Sequence, residues 1–253
     1  MNKENIHIRM SYKKIDELLP LAIQEGKGVE IFLSSYFLDR PPIDRLAPLR
    51  EYIAGGQTLS LHAPFMDLSP GGFDEKVRTL TADRVIEAIN VVADMNPKTV
   101  VIHPGYDRFR FDGRKDIWLK NSLETWNRVL AETPKEIKLA VENVFDATPE
   151  ILIELIEALG TERAGHCFDT GHFNLFGKIS LEKWIGMVKP YLIEMHLHDN
   201  SGGDDQHLSM GEGTFDFDRL AGQLADLSPI LTLESHTKTD LEKSLKFMEA
   251  WNV

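Results

Sequence analysis

The chain has 253 residues, 42% of them hydrophobic, and a formal net charge of −12 from 28 basic and 40 acidic side chains. That length suits one α/β barrel, and the acidic balance argues against the basic footprint of a non-specific nucleic-acid binder. The lone Cys167 forbids an intrachain disulfide, "MNKENIHIRM" lacks the apolar core of a signal peptide, and no run nears the roughly 18 apolar residues of a membrane span, so a soluble, cytoplasmic protein is expected.

In chain order, the first β-like run is "IHIRM" (Ile6–Met10). "YKKIDELLPLAIQEG" follows with helical period, placing Ile15, Leu18, Leu19 and Ala22 on one stripe. "GVEIFL" (Gly28–Leu33) and "LSLHAPF" (Leu59–Phe65) read as the next two strands. "VRTLTADRVIEAINVVADM" repeats apolar residues at three and four, as a helix does. "TVVIHPG" (Thr99–Gly105) and "KLAVENV" (Lys138–Val144) are strands four and five. "TPEILIELIEALG" predicts a helix with Thr148 as N-cap, Pro149 at the first helical position and Gly160 as the stop. "AGHCFDTGH" (Ala164–His172), "IEMHLHDN" (Ile193–Asn200) and "ILTLES" (Ile230–Ser235) supply the last three strands. "TDLEKSLKFMEAW" predicts a closing helix, with Thr239 and Glu242 in capping-box spacing.

Strand-helix alternation implies parallel strands with right-handed crossovers. The expected fold is α/β, a single (β/α)8 TIM barrel over residues 1–253. An open doubly wound sheet is the alternative, but "RMSYKKID" has no Gly-rich phosphate loop after the first strand. No linker, low-complexity tract or second domain is visible.

Barrel chemistry sits at the carboxyl ends of the strands, and the ligand-type residues fall there. His62 ends strand three, His103 strand four, Glu142 strand five, and Asp169 with His172 strand six. His196 lies on strand seven, Asp205 and His207 in the following loop "GDDQHLSMGEG", and Glu234 at the end of strand eight. Each has a plain structural explanation. A histidine near a strand end is commonly a hydrogen-bonded packing residue, Asp169 can cap the next helix, and Asp204–Asp205 can be solvated turn residues. Cys167, on an apolar run, reads as a small hydrophobe.

The joint pattern outweighs those explanations. Strands three to eight each bring an imidazole or a carboxylate to the same rim. Carboxylates facing one another in a barrel mouth repel unless cations bind them. Imidazole with carboxylate suits Zn²⁺, Mn²⁺ or Fe²⁺; a metal site is expected, with Zn²⁺ the first candidate.

Together "HAPF", "HPG", "VEN", "DTGH", His196, "D-x-H-x-x-x-G-E-G" and Glu234 resemble, in order, the endonuclease IV and xylose-isomerase-like TIM-barrel superfamily (AP endonuclease family 2, with sugar phosphate isomerases and epimerases). The endonuclease IV branch carries three metals. That resemblance implies a first ion on His62, His103 and Glu142, and a second on Glu142, Asp169, His196 and Glu234. It implies a third on His172, Asp205 and His207. The Gly202–Gly203 turn lets the loop fold back over the mouth. His198 departs from the endonuclease IV pattern. Period two puts it on the same side as His196, one layer deeper, either ordering a ligand or packing in the core.

Two chemistries use such a rim. One is phosphoester hydrolysis with paired or triple metals. The other is isomerisation or epimerisation of a sugar or sugar phosphate, with one metal and Glu142 and Glu234 as the proton-transfer carboxylates. An isomerase has no evident use for His62, His103, Asp205 and His207 together, which favours hydrolysis. A binding barrel that had lost its chemistry should show lost ligands, and none is missing. Cleavage of duplex DNA at AP sites is the narrower reading. The loops "SSYFLDRPPID" and "FMDLSPGGFD" hold few basic residues, Arg40 and Arg45 among them. Phe65 and Met66 are either a wedge for a base stack or caps of the barrel. Arg108 and Arg110, with Arg114 and Lys115, either meet a substrate phosphate or face solvent, and His236 is a candidate substrate contact. The expected substrate is a small phosphorylated sugar or nucleotide-like ester.

Overall fold

The computed structural model describes residues 5–40, 43–224 and 227–251. Strands β1 (Ile6–Ser11), β2 (Gly28–Phe32), β3 (Leu59–His62), β4 (Thr99–Ile102), β5 (Lys138–Glu142), β6 (Ala164–Asp169), β7 (Leu192–Leu197) and β8 (Ile230–Leu233) close into a barrel in chain order. Every ladder is parallel, including the closing pair in which Ile8 of β1 faces Leu233 of β8. The expected (β/α)8 TIM barrel is the observed fold. Around it lie α1 (Ile15–Glu25), α2 (Ser35–Asp39), α3 (Ala47–Ala54), α4 (Glu75–Val92), α5 (Lys115–Glu132), α6 (Glu150–Leu159), α7 (Thr170–Phe176), α8 (Leu181–Val188), α9 (Phe217–Ala221) and α10 (Lys238–Ala250). Among the described residues, no helix is long and apolar enough to cross a membrane.

The α1 stripe of Ile15, Leu18, Leu19 and Ala22 is buried as its period predicts. Several boundaries differ from the sequence reading. β3 stops at His62, β4 at Ile102 and β6 at Asp169. The first two are followed by "AP" and "HP", where proline has no N–H for a ladder. After β6 the chain turns straight into α7 because the Asp169 carboxylate accepts from the His172 backbone N–H at 2.7 Å. Thr148 is not the N-cap of α6; Pro149 occupies that position, and Gly160 ends the helix in the left-handed region at φ 59°. α10 is capped by Thr237, whose Oγ1 accepts from the Asp240 N–H at 3.1 Å, so the expected Thr239–Glu242 box lies two residues too late.

Period two sends alternate strand residues to the helices and to the barrel interior. Ile6, Ile8 and Met10 join the large apolar core under the helices. His7 turns inward, with its Nδ1 2.8 Å from Ser60 Oγ of β3. The interior below the mouth is polar as well as apolar. The Glu194 carboxylate accepts from Thr99 Oγ1 at 2.5 Å and from Thr232 Oγ1 at 2.8 Å. Burial, reinforced by the Glu30 anion, pushes Glu194 up to about 8. Beside it Val101, Ala140 and Cys167 form a small apolar patch with Ile193. Cys167 is fully buried, and burial pushes its thiol well above the ordinary range.

Candidate metal centre

The strand ends deliver their side chains to one mouth. His62 and Glu142 are the last residues of β3 and β5, His103 follows β4, and His172 sits in the first turn of α7. His196 lies on β7, and Glu234 directly follows β8. The β7 loop is held in place by Asp199. Its carboxylate accepts from the backbone N–H groups of Gly211 at 3.2 Å, Gly213 at 2.9 Å and Phe215 at 3.0 Å. Asp199 and Leu208 also exchange backbone hydrogen bonds at 3.0 and 2.8 Å. The loop leaves through Gly202, at φ 81°, and carries His207 at φ 50°, a left-handed backbone that few non-glycine residues adopt.

Three groups of ligand-type atoms converge. In the first, His62 Nε2 and His103 Nε2 lie 3.3 and 3.2 Å from Glu142 Oε2. In the second, His196 Nδ1 lies 3.6 Å from Glu142 Oε1, 3.7 Å from Asp169 Oδ2 and 3.2 Å from Glu234 Oε2. In the third, Asp205 Oδ2 lies 3.5 Å from His172 Nε2 and 3.0 Å from His207 Nε2. Glu142 therefore spans two groups, one oxygen in each. His207 Nδ1, 3.3 Å from Glu234 Oε1, links the second group to the third.

Hydrogen bonds on the far ring nitrogens aim the imidazoles. His62 Nδ1 donates to the Ala63 carbonyl at 2.9 Å, leaving Nε2 toward Glu142. His172 Nδ1 lies 2.9 Å from the Asn143 carbonyl, leaving Nε2 toward Asp205. His196 Nε2 lies 3.0 Å from Glu30 Oε2, leaving Nδ1 toward the carboxylates. A second partner that fixes the tautomer is what a metal-ligating histidine needs.

The electrostatics are those of a closely packed mixed cluster. Burial alone would raise the Glu142 carboxyl, but His103 and His196 hold it well below the carboxylate range. Burial would likewise raise Glu234, but Arg9 and His207 hold it well below. Burial would lower the His172 imidazole, yet Asp169, Asp205 and Glu142 raise it well above its ordinary value. Among the described residues, Glu142 Oε2, His196 Nδ1 and His207 Nδ1 are buried without a hydrogen-bond partner. Ligand atoms of His62, Glu142 and His196 lie within 4.8 Å of one another, as do those of Glu142, Asp169 and His172, and of His198, Asp205 and His207. Orphaned imidazole nitrogens and carboxylate oxygens at this spacing fit divalent cations such as Zn²⁺, Mn²⁺ or Fe²⁺.

His198 is not one layer deeper than His196. The strand runs toward the mouth, so a later residue lies further out. His198 Nε2 is 3.0 Å from both Asp169 oxygens, and its ring stacks on His207 at 4.1 Å. Its Nε2 thus faces the Asp169 carboxylate, while the ring also joins the group formed with Asp205 and His207. His236 and Arg110 line the cavity above the cluster, whereas the Arg108 guanidinium lies over the Phe109 ring at 5.1 Å. Phe65 stacks on His103 at 4.1 Å, and Met66 is 71% exposed.

Sequence reasoning passed over four residues. Arg9 pairs with Glu234 and lies 3.3 Å from Glu30. Glu30 is fully buried beneath His196. Asn143 locks β5 to β6 by accepting from the Asp169 N–H at 2.9 Å and donating to its carbonyl at 3.0 Å. Asp199 holds the loop. Arg9 and Glu30 each stand as a charge at an alternate position of a short strand, a pattern that reads equally as a solvent-facing alternation.

A sequence model of the family described as xylose isomerase-like TIM barrel matches residues 22–251. The chain belongs to this family. The expected kinship with endonuclease IV-like and xylose isomerase-like barrels therefore holds. This xylose isomerase-like barrel is 30% identical over 203 residues to an uncharacterized protein of Methanocaldococcus jannaschii, covering 76% of this chain and 69% of the relative. It superposes on a D-tagatose 3-epimerase-like protein with a TM-score of 0.80 and 26% identity, over 96% of both chains. It shares the fold of endonuclease IV from Thermus thermophilus, with a TM-score of 0.68 and 22% identity over 98% of both chains.

Proposed function

We propose that this barrel is a divalent-metal-dependent hydrolase of phosphoesters, acting on a small sugar- or nucleotide-like substrate. The observation that carries the reading is convergence. His62, His103, Asp205 and His207 meet the same mouth as Glu142, Asp169, His196 and Glu234, with Glu142 shared between groups. We assign His62, His103 and Glu142 to one ion, Glu142, Asp169, His196 and Glu234 to a second, and His172, Asp205 and His207 to a third. Bound cations would supply Lewis acidity toward phosphoryl oxygens and bring water's pKa toward neutral. The chain's own part is to space and orient. Glu142 keeps two groups apart at a fixed separation. Arg9 and His236, which line the same cavity, would meet anionic substrate oxygens. The loop pinned by Asp199 brings Asp205 and His207 to the cluster.

The likeness to a D-tagatose 3-epimerase-like protein supports a second reading, sugar epimerisation with Glu142 and Glu234 moving the proton. The further ligand-type side chains favour the first: His62, His103, Asp205 and His207 meet the mouth together, and an epimerase has no evident use for all four.

The double substitution Asp205→Ala with His207→Ala separates the two. It leaves the Glu142, Asp169, His196 and Glu234 set in place, which is all an epimerase uses. Loss of charge stabilisation worth several kcal/mol at the transition state is expected for a hydrolase, and about 1.4 kcal/mol is tenfold in rate. Protein purified without chelator should hold about three equivalents of zinc or manganese. The variant should hold one fewer and release phosphate at least about a hundredfold more slowly. An unchanged metal count or nearly unchanged turnover would remove the hydrolytic reading and leave the epimerase.

A further inference from the structure

The cavity over the cluster is two-sided. Its volume is about 840 Å³, in the upper part of the range of about 300–1,000 Å³ that accepts drug-sized ligands. One wall is charged: Arg9 from β1, Asp205 and His207 from the β7 loop, and Glu234 and His236 after β8. The loops after β3 to β6 add a mainly apolar wall of Phe65, Met66, Tyr106, Phe145 and Phe176, which also carries Asp67, Asp107, Arg110 and Asp146. The same cavity reaches Leu68, Val85, Ile102 and Trp126. Phe145 and Phe176 meet edge to face at 5.2 Å, yet Phe145 stays 63% exposed and Met66 71%. A free sugar phosphate, polar on all sides, would leave this wall wet.

Building on the hydrolytic reading, we propose that the ester's leaving group carries a flat apolar ring that seats between the Phe145–Phe176 pair and Met66. The ester lies over the cluster while the ring turns away from Arg9 and the histidines, toward the Leu68–Trp126 lobe. Complementarity fixes that orientation, because the reverse pose would bury the anionic ester against phenyl rings and the apolar ring against charged groups. Aromatic contact adds to area burial when rings meet edge to face or offset.

The test is equilibrium binding of two inert phosphonates to the metal-loaded protein by calorimetry, so that turnover plays no part. Benzylphosphonate should bind at least about tenfold more tightly than methylphosphonate. In Phe145→Ser with Phe176→Ser that ratio should fall below about threefold; Phe145→Ser alone, at an exposed position, should lower it in the same direction without threatening the fold. A ratio near one in the unmodified protein overturns the proposal, as does a ratio that the substitutions leave intact. Dimerisation that depends on Phe145, with a ratio near one, would assign the aromatic wall to a second copy of the chain instead. A ring preference that collapses in the variants, in a protein releasing no phosphate from any ester, would uphold the ring site and refute only the hydrolytic reading.

Discussion

His196 has two faces, and each is committed. Its Nδ1 meets the carboxylates of Glu142, Asp169 and Glu234, while its Nε2 lies 3.0 Å from Glu30, and all of these side chains are buried. Glu30 is itself steadied by Arg9 at 3.3 Å. The carboxylate accepts from Nε2–H and so keeps the Nδ1 lone pair facing the mouth. Without it the ring is free to take the other tautomer, and Nδ1–H would point at the anions. Glu30→Ala should therefore weaken zinc binding about 10–100-fold, the usual effect of losing a partner that orients a ligand. Glu30→Gln, whose amide oxygen can still accept, should recover part of it. Chelator-competition titration measures both, and wild-type zinc affinity in Glu30→Ala would show that His196 is aimed by packing alone.

At the scale of elements, the β6–α7 junction concentrates the constraints. Asp169 ends β6, caps α7 and reaches the cluster at once, while Asn143 ties its backbone to β5. Gly171, in the first turn of α7, lies against His198: a Cβ there would come 2.0 Å from Cε1 and 2.5 Å from Nδ1 of that ring. Helix propensity alone says Gly171→Ala should stabilise α7 by about 1 kcal/mol. The contact says otherwise, because the buried ring is held on both sides by Asp169 and His207. We expect a net destabilisation of about 1–3 kcal/mol, read from the denaturation midpoint; a raised midpoint would mean that His198 yields without cost. The same junction shows why some features were legible in the sequence and others were not. The eight strands are short apolar runs bounded by turn residues, and the rim residues repeat at strand ends, so both periods and places could be read. Helix starts slipped because several residues near Thr148 and Thr237 can cap, and only backbone geometry chooses among them. Arg9 and Glu30 looked like solvent-facing alternations, since in a closed barrel the polar-looking face of a strand turns inward. Partnerships such as His198 with Asp169, 29 residues apart, depend on which loop end meets which strand, and no local pattern carries that.

Across the whole molecule, the cluster sets how stability answers pH. In the metal-free protein burial would raise the Glu142, Asp169 and Glu234 carboxyls, but His103, His172 and Arg9 respectively more than offset it and hold all three low. Such groups contribute stability that is present above their ordinary values and is lost as pH falls through the folded values. Burial would lower the His172 and His207 imidazoles, but Asp169 and Glu234 respectively lead in raising both above 6.5. Their contribution is complete below 6.5 and disappears as pH rises through the raised folded values. Glu194, pushed up to about 8 by burial and by Glu30, adds a loss between its ordinary 4.5 and about 8. Together these make chelator-treated protein most stable in mildly acid solution. Cations held by the cluster would reverse the trend. They would stabilise the folded state by mass action, and because ligation needs deprotonated imidazoles their hold would tighten as pH rises. The melting temperature of chelated protein should therefore fall between about pH 6 and about pH 9, while zinc-loaded protein stays level or rises and the gap between the two curves widens. A chelated curve that stays flat or climbs over that range would mean the imidazoles carry no protons in the metal-free cluster, and the anions of the mouth are balanced by something else.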